Sequence, residues 1–325
     1  MAGERIVAVA GASGFVGRHV VAELLSRGYA VRALVRSREK ARAALPRDDR
    51  VRLVVGGPEP RTLALLAEGA AGIVNTVGII REAGGNTFRT AHVLTTRALV
   101  EAARGAGVER FVQVSALGVS AEGKTAYQQT KFEAEQVVRR SGLLWTILRP
   151  GLIHGPGNEL MRTAKGWVTG AAQPWFFLPY FTRGEIRDEV PLAAVHRVPG
   201  TVQPVAVEDV AWAAAESLER PAAAGEVFNL VGPEVLTWPQ LLDLMQEAIP
   251  GADVALRPLG IPGEFASVQA KLARKLGLGG LLPFDEGMPI MAAEESTASP
   301  EKARQMLGLE PRPFTPALRE YAGRI

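Results

Sequence analysis

The sequence predicts an α/β protein built on a doubly wound parallel sheet, with a smaller C-terminal substrate lobe. Short apolar runs alternate with amphipathic stretches over residues 1–150. A glycine-rich turn joins the first apolar run to the first amphipathic stretch, and the alternation ends at Arg149-Pro150. Because alternating strands and helices require parallel strands with right-handed crossovers, we expect helices on both faces of the sheet.

Strands of the first half are predicted where short apolar runs rich in β-branched residues stop at glycine or at polar residues. They cover Arg5–Ala10, Ala30–Val35, Val51–Val55, Ile73–Val77, Phe111–Val114 and Trp145–Leu148. Helices are predicted between these strands, where apolar residues recur at helical spacing before a glycine or proline. They cover Phe15–Arg27, Arg38–Leu45, Thr62–Glu68, Thr87–Gly105 and Thr125–Ser141.

The second half has a less regular pattern. Residues 151–202 are rich in glycine, proline and aromatic residues and show no clean period. Farther on, strands and helices are predicted to return to the sheet and to form the substrate lobe. They are the strands Gln203–Val207 and Glu226–Val231 and the helices Glu208–Leu218, Trp238–Ala248 and Pro300–Leu307. We therefore divide the chain into a sheet domain, residues 1–150, and a mixed region, residues 151–325.

The composition is that of a globular protein, with 47% hydrophobic and 22% charged residues. No apolar run reaches the roughly 18 residues of a spanning helix, and the first run is too short for a signal peptide. Cysteine is absent, which excludes disulfides, thiolate nucleophiles and cysteine metal sites. A reducing compartment is compatible with this, and we expect a cytoplasmic location.

The charge pattern argues against several classes of partner and activity. The chain has 37 Lys and Arg against 34 Asp and Glu, a formal charge of +3, with both signs interspersed. Without a basic stripe or a reader motif, we expect no nucleic-acid partner. The four histidines have no metal-ligand spacing, so we expect no metal. A G-x-S-x-G elbow, typical of one large class of hydrolases, is absent.

The glycine-rich turn, residues 11–17, follows a predicted strand and opens a predicted helix. Gly11 permits the tight turn, Gly14 lets the backbone approach a pyrophosphate, and Gly17 lets the helix pack closely. The helix N-terminus would then bind the pyrophosphate through its free N–H groups. The pattern predicts a dinucleotide-binding Rossmann domain in residues 1–150. The cofactor contacts in this turn would be Gly11, Ser13, Gly14, Phe15, Val16 and Gly17.

The end of the second predicted strand bears on the choice between NAD and NADP. An acidic residue at this point would bind the ribose 2′-hydroxyl, whereas an arginine accommodates a 2′-phosphate. The sequence has Arg36 there and no acid before Glu39. Because a guanidinium pairs bidentately with phosphate, the sequence favours NADP as cofactor, with NAD as the alternative.

A Tyr-x-x-x-Lys motif, Tyr127 and Lys131, lies at the start of the helix that follows the fifth strand. The spacing places both side chains on one helical face. A lysine ammonium beside a phenol favours the phenolate, so we expect the pKa of Tyr127 to be lowered. The motif predicts an acid or base at the carboxyl edge of the sheet.

With these motifs the sequence resembles the short-chain dehydrogenase/reductase superfamily, in its extended or atypical form. It is most similar to bacterial relatives of the nucleotide-binding accessory subunit of respiratory complex I. The resemblance runs from Gly11 to Met245 and is carried by the runs GASGFVG, ALVRS, AHVLTTRALVEAARGAGVERFVQVSALG, YQQTKFEAEQVVRRSGLLWTILRPGLIHGPGN, VQPVAVEDVA and EVFNLVGPEVLTWPQLLDLM.

The resemblance implies roles for several of these residues. Tyr127 would be the proton donor, Lys131 would bind the nicotinamide ribose, and the turn at Pro150 would lie beside the nicotinamide. The helix that begins at residues 207–210 would lie near the substrate lobe. At the end of the fourth strand the backbone would pass the cofactor ribose, where Asn75, Val77 and Gly78 would shape the crevice.

The sequence departs from the family at several positions. The resemblance implies a serine or threonine just after the fifth strand. In this sequence that position is Ala116, and Ser115 lies one residue earlier. Counted back from Tyr127, Ser115 lies at the distance at which shorter family members have their catalytic serine. Two interpretations stay open, a third catalytic residue or a turn residue. Gly57-Pro58 replaces the acid expected after the third strand. His92 occupies a position that usually carries asparagine, and we interpret it as a packing or surface residue.

Residues 173–182, QPWFFLPYFT, concentrate aromatic side chains where the substrate lobe begins. This stretch could be a lid over an apolar substrate, a dimer patch, a peripheral membrane contact or the core of the lobe. Pro174 and Pro179 bracket three of the aromatic residues and favour a loop. We predict that Trp175, Phe176, Phe177 and Tyr180 form a mobile wall of the substrate crevice.

The sequence therefore predicts an NADP-dependent oxidoreductase. A hydride would pass between the nicotinamide and a carbonyl, an alcohol or a related apolar redox substrate. One alternative is a cofactor-binding redox sensor or accessory subunit with little turnover, which Ala116 keeps open. A second alternative is a sugar-nucleotide epimerase or dehydratase, although the apolar residues 175–181 argue against a polar sugar substrate. The substrate and the oligomeric state are left open.

Overall fold

The computed structural model describes residues 5–186, 195–278, 282 and 284–325. Its strands, in chain order, are β1 Ile6–Ala10, β2 Ala30–Val35, β3 Val51–Val55, β4 Gly72–Asn75, β5 Arg110–Val114, β6 Leu144–Pro150, β7 Leu152–His154, β8 Leu178–Ile186, β9 Val195–Pro199, β10 Thr201–Val202, β11 Pro204–Ala206, β12 Glu226–Leu230, β13 Leu236–Thr237, β14 Pro258–Pro262 and β15 Glu295–Ser296. None of the described helices is both long and apolar enough to cross a bilayer.

The helices alternate with these strands in the first half and become more frequent in the second. They are α1 Phe15–Ser26, α2 Arg38–Ala44, α3 Pro60–Ala67, α4 Thr95–Gly105, α5 Ala126–Arg139, α6 Glu159–Val168, α7 Val207–Glu219, α8 Trp238–Ala248, α9 Gly263–Lys275, α10 Met288–Ala293, α11 Glu301–Leu307 and α12 Phe314–Tyr321. A π-helical turn, Arg89–Leu94, precedes α4. The helix predicted over residues 87–105 is therefore wider at its beginning than a regular α-helix.

The central sheet has seven strands in the order β12-β6-β5-β4-β1-β2-β3, and every neighbouring pair is parallel. The predicted doubly wound fold is confirmed. The strand β12 comes from the second half and pairs with β6, as expected. The chain reverses its direction across the sheet between β1 and β4. The carboxyl ends of these two strands therefore flank the crevice in which such folds bind ligands.

The two faces of the sheet are covered by separate apolar clusters. Alternate residues of β1 point to opposite faces, so Val7 and Val9 join one cluster while Ala8 and Ala10 join the other. The first cluster includes residues of α1 and α7, and the second includes residues of α3 and α4. Both faces of the strand are buried, which is why its sequence is a continuous apolar run instead of an alternating one.

The second half contains more regular structure than we predicted. The stretch 151–202 includes α6, whose N-cap residue Asn158 accepts a hydrogen bond from the Met161 N–H through its side chain. The sequence predicted one helix after residue 249, whereas the described residues there form α9, α10, α11 and α12. The predicted strand Gln203–Val207 is present as β11, but it pairs with β7 outside the central sheet.

A third apolar cluster forms the core of the C-terminal lobe. It joins α6, α8 and α12 through side chains that include Met161, Leu242 and Phe314. The buried His154 lies against it, stacked on Tyr321 and in edge contact with Phe314. Burial lowers the pKa of His154 to about 4. This histidine is therefore a neutral core residue at physiological pH.

Candidate active site

The glycine-rich turn adopts a conformation that only glycine allows at two positions. Gly11 has a φ of +76°, and a Cβ added to it would lie 2.8 Å from Thr76 Oγ1. A Cβ on Gly17 would overlap the carbonyl oxygen of Gly11. These two glycines let the first turn of α1 lie directly against the end of β1. The close approach fits the predicted role of the turn in binding a dinucleotide.

The N-terminus of α1 is open to an anion. Gly14 is the N-cap residue and has no side chain to occupy the free N–H groups, and the first turn carries no acidic residue. Phe15 and Val16 in this turn, and Ser13 before it, are partly exposed. Diphosphate binding by their backbone amides stays a prediction, which this exposure permits.

The segment that follows β7 contacts the start of α1. The Arg18 guanidinium donates to the Pro156 carbonyl at 2.8 Å. Gly155 and Gly157 approach so closely that a Cβ on the first would lie 3.5 Å from the Phe15 ring, and one on the second would overlap Arg18. The turn at residues 155–157 is thus fixed beside the glycine-rich turn and the start of α1.

Arg36 lies immediately beyond the carboxyl end of β2, as predicted. Its side chain is exposed, and it has no hydrogen-bond or ion-pair partner among the residues that the structure describes. The next residue, Ser37, caps α2 by accepting from the Lys40 N–H. The guanidinium is therefore free to pair with an anion next to the crevice.

The segment after β4 lies beside the crevice and is held by a buried amide. Asn75 donates to Gln113 Oε1 at 2.9 Å and to Thr96 Oγ1 at 3.1 Å, and its Oδ1 accepts from the Val77 N–H. Predicted as part of the strand, Val77 instead lies in this turn, since β4 ends at Asn75. Gly78 follows, and a Cβ added to it would lie 3.0 Å from Lys131 Nζ.

Tyr127 and Lys131 lie in the first two turns of α5. The helix begins with a capping box in which Thr125 accepts from the Gln128 N–H while the Gln128 side chain accepts from the Thr125 N–H. Lys131 Nζ donates to the Val114 carbonyl at 3.2 Å. The ammonium therefore lies between the carboxyl ends of β4 and β5, next to Gly78.

The expected lowering of the tyrosine pKa is wrong for this structure. Burial raises the pKa of Tyr127 to about 12 and lowers the pKa of Lys131 to about 8. The reason is that both groups are desolvated, while the ammonium bonds to the carbonyl of Val114 instead of the phenol. At neutral pH the phenol is thus protonated, and it can donate a proton.

The interpretation of His92 as a packing residue is confirmed, and the aromatic rings against which it packs include that of Tyr127. Its ring contacts the Tyr127 ring edge-on at 5.4 Å and stacks on Phe88 at 5.6 Å. His92 Nδ1 lies 3.0 Å from Thr130 Oγ1, and Nε2 accepts from the Ile79 N–H at 3.3 Å. Together with Phe88, the imidazole fixes the position of the tyrosine ring.

The protonation of His92 follows from its surroundings. Burial lowers the pKa of the imidazole to about 3, and the nearby Lys131 lowers it further. Thr130 Oγ1 donates to the Ala126 carbonyl at 2.6 Å, so it accepts from Nδ1–H. His92 is therefore neutral at physiological pH. It supports the tyrosine ring by packing and does not act as a general acid. The sequence signal for it was its place in the helix after β4, at the position of the family's asparagine.

Ser115 is not directed at Tyr127. Its buried hydroxyl donates to Glu135 Oε1 at 2.6 Å. The Arg149 guanidinium forms two further bonds to this carboxylate, from Nε at 2.8 Å and from Nη2 at 2.6 Å. A catalytic role for Ser115 stays a prediction, and in this conformation its proton is engaged. Pro150, predicted to lie near the nicotinamide, ends β6, and its carbonyl accepts from the Leu117 N–H.

The aromatic stretch is divided between surface and core. Trp175 is 49% exposed and Phe176 is 84% exposed, so these two rings do not form the core of the lobe. Tyr180 packs against the third apolar cluster. The expected loop is wrong for residues from 178 onward, since these form β8, which pairs with β14. Whether any of these rings faces a substrate stays a prediction.

Comparisons with known proteins show a family and several relatives of this chain. A family model described as NAD(P)H-binding matches residues 11–167. The ceramide reductase of Caulobacter vibrioides is 37% identical over 154 residues, which are 47% of this chain and 48% of that protein. The mitochondrial NADH dehydrogenase (ubiquinone) 1 alpha subcomplex subunit 9 of Arabidopsis thaliana is 28% identical over 251 residues, which are 75% of this chain and 58% of that protein. The chain thus spans about half the length of these curated relatives.

A solved structure is similar over nearly the whole chain. The dTDP-glucose 4,6-dehydratase DesIV from Streptomyces venezuelae, solved with NAD and TYD bound, has a TM-score of 0.71 and 21% sequence identity. The similarity covers 98% of this chain and 95% of that protein. It shows the shared fold.

Proposed function

Because the chain belongs to an NAD(P)H-binding family, whose model matches residues 11–167, we propose that it is an NADPH-dependent reductase of apolar carbonyl compounds. One observation carries this proposal. Tyr127, His92, Lys131 and Gly78 form a single cluster at the carboxyl ends of β4 and β5. The open N-terminus of α1 follows the neighbouring strand β1.

The cluster supports reduction in particular. A bound reduced nicotinamide supplies a hydride. The Tyr127 phenol, which burial keeps protonated, would donate a proton to the carbonyl oxygen. The Lys131 ammonium would stabilise the phenolate that remains and would hold the nicotinamide ribose. The carbonyl compound would become an alcohol. Its new C–H hydrogen would come from the nicotinamide, and its O–H hydrogen would come from Tyr127.

The cofactor is proposed to be NADPH on account of Arg36. Replacement by alanine is expected to reduce the affinity for NADPH by roughly ten- to hundredfold, because a charge-assisted phosphate bond contributes about 1.5–3 kcal/mol. Affinity for NADH should hardly change, since NADH has no 2′-phosphate. Titration calorimetry of both cofactors measures this, with the exposed Arg38→Ala as the matched control. Equal affinities of the unmodified protein for the two cofactors would contradict the assignment.

The proposed substrate class is supported by the relatives and by the aromatic stretch. One relative is named for ceramide, a lipid, and Trp175 and Phe176 offer apolar surface near the lobe. We propose a long-chain or polycyclic ketone as substrate and a cytoplasmic location. The test is NADPH oxidation with 3-keto sphingoid lipids and steroid ketones, against short water-soluble ketones and sugar nucleotides. Turnover confined to the sugar nucleotides would favour an epimerase or dehydratase instead.

A second candidate function is a cofactor-binding subunit with little turnover. It is favoured by one observation: the Ser115 hydroxyl is engaged by Glu135 and is not available to the carbonyl oxygen in this conformation. The relative from respiratory complex I is named as a subunit. Tight NADPH binding without turnover of any ketone in the panel would support this alternative.

A further inference from the structure

The helix α9 presents large apolar side chains outward and small ones inward. Phe265, Val268, Leu272 and Leu276, the last just beyond its end, are 59%, 64%, 57% and 64% exposed. At about 100° per residue these four side chains fall within roughly 80° of one another. They form a single stripe along the helix, which we call the α9 stripe. A surface helix of a globular protein normally places such residues toward the core.

The inner face of α9 is already packed and anchored. Ala266 and Ala270 are buried, and a Cβ on Gly263 would lie 2.9 Å from the Pro289 carbonyl oxygen of α10. Ser267 Oγ donates to the Glu286 carbonyl at 2.7 Å. The helix therefore cannot roll inward to bury the stripe without losing these contacts.

The charges beside the stripe indicate what covers it. Lys271 and Lys275 are exposed on one side of the stripe and have no ion-pair partner among the described residues. The acidic residue of the helix, Glu264, is paired with Arg197 at 2.9 Å. The stripe is thus flanked by two ammonium groups that have no ion-pair partner in the part of the chain that the structure describes. A second copy of this chain, packed stripe against stripe, would bring like charges together.

We propose that the α9 stripe docks on the surface of an anionic phospholipid bilayer. Phe265, Val268, Leu272 and Leu276 would enter the boundary between head groups and acyl chains, and the two lysines would contact anionic head groups. An outward apolar stripe with lysines beside it is typical of helices that lie in the membrane interface. The inference does not depend on the proposed reductase activity.

The test is co-sedimentation with vesicles of phosphatidylcholine mixed with phosphatidylglycerol, compared with pure phosphatidylcholine. The protein is expected to bind the mixed vesicles about tenfold or more tightly, because each lysine near an anionic surface adds to the attraction. The variant Lys271→Gln/Lys275→Gln should lose this preference. The control Lys40→Gln/Arg42→Gln, which alters exposed charges on α2, should keep it.

The apolar contribution is tested by Phe265→Ser/Leu272→Ser. This variant is expected to bind mixed vesicles about a hundredfold more weakly, because the transfer of two large apolar side chains from water into the bilayer is lost. Since both side chains are exposed, the fold should not change, and the thermal transition checks this. The matched control Leu65→Ser/Val235→Ser removes two residues that are 56% and 55% exposed elsewhere.

Two results would overturn the proposal. One is equal vesicle binding by the unmodified protein and Phe265→Ser/Leu272→Ser. The other is an absence of vesicle binding together with a dimer in light scattering that Phe265→Ser/Leu272→Ser converts to monomers. The second result would assign the α9 stripe to contact between copies of the chain.

Discussion

Replacing Tyr127 by phenylalanine is expected to lower kcat for ketone reduction by about 10²–10⁴-fold while the affinity for NADPH stays nearly unchanged. The ring would still be held between His92 and Phe88, whose centroids lie 5.4 and 5.8 Å from its own. Only the hydroxyl that we propose as the proton donor is removed. Lys131→Ala, in contrast, should reduce both kcat and cofactor affinity, because the ammonium is proposed to hold the ribose as well.

The control for this prediction is Tyr29→Phe. Its hydroxyl bonds to Glu219 Oε1 at 2.8 Å, on the α7 side of the sheet, so kcat should not change. Steady-state rates with the ketone that gives the highest turnover, and fluorescence titration with NADPH, provide the measurements. An unchanged kcat in Tyr127→Phe would remove the phenol from the mechanism.

The pH profile gives an independent readout of the same site. The pKa of Lys131 is lowered to about 8 by burial, so the ammonium loses its proton as the pH rises through 8. The phenolate that forms during reduction then lacks its stabilising charge, and kcat is expected to fall on the alkaline side. His92 has no part in this profile above pH 5, because its pKa lies near 3.

The sheet could be predicted from the sequence because its signals are local. Each strand of the first half is a run of four to seven residues. The turn from Gly11 to Gly17 is recognised from the spacing of its glycines, all within seven residues of the sequence. The same is true of the Tyr127 and Lys131 pair, whose spacing follows from one helix. The strands lie where the sequence predicted them, except that β4 ends at Asn75 instead of Val77, and both Tyr127 and Lys131 lie on α5.

Features that depend on distant partners could not be predicted in this way. His92 becomes part of the site through Ile79 and Thr130, which lie in other segments. The strand β8 exists because it pairs with β14, far along the chain. In the helix α9 the large apolar residues face outward. A prediction from their helical spacing would therefore place the wrong face of this helix against the core.

The carboxylate of Glu135 is the clearest case of a distant partner. No sequence motif marks Glu135, although it lies eight residues after Tyr127 on the same helix. The structure buries it completely and surrounds it with Arg149 from β6 and Ser115 after β5. It therefore joins α5 to the ends of two central strands, directly behind the cluster that contains Lys131.

Glu135→Ala is consequently expected to reduce the free energy of unfolding by about 3–5 kcal/mol, because it leaves the Arg149 guanidinium mostly buried without its partner. Glu133→Ala is the matched control. Glu133 lies two residues earlier on α5. Its side chain is 40% exposed and that of its ion-pair partner Arg89 is 60% exposed, so this substitution should cost at most about 1 kcal/mol. Equilibrium unfolding in guanidinium chloride measures both variants.

A double variant separates the charge from the packing. In Glu135→Leu/Arg149→Met neither charge remains, and apolar side chains of similar length fill the space, so much of the stability should return. If Glu135→Ala and Glu133→Ala cost the same, the buried pair does not stabilise the fold. If Glu135→Leu/Arg149→Met is less stable than Glu135→Ala, the loss comes from the contacts of Arg149 itself and not from an unpaired charge. The expected order of stability is therefore Glu133→Ala first, the double variant second and Glu135→Ala last.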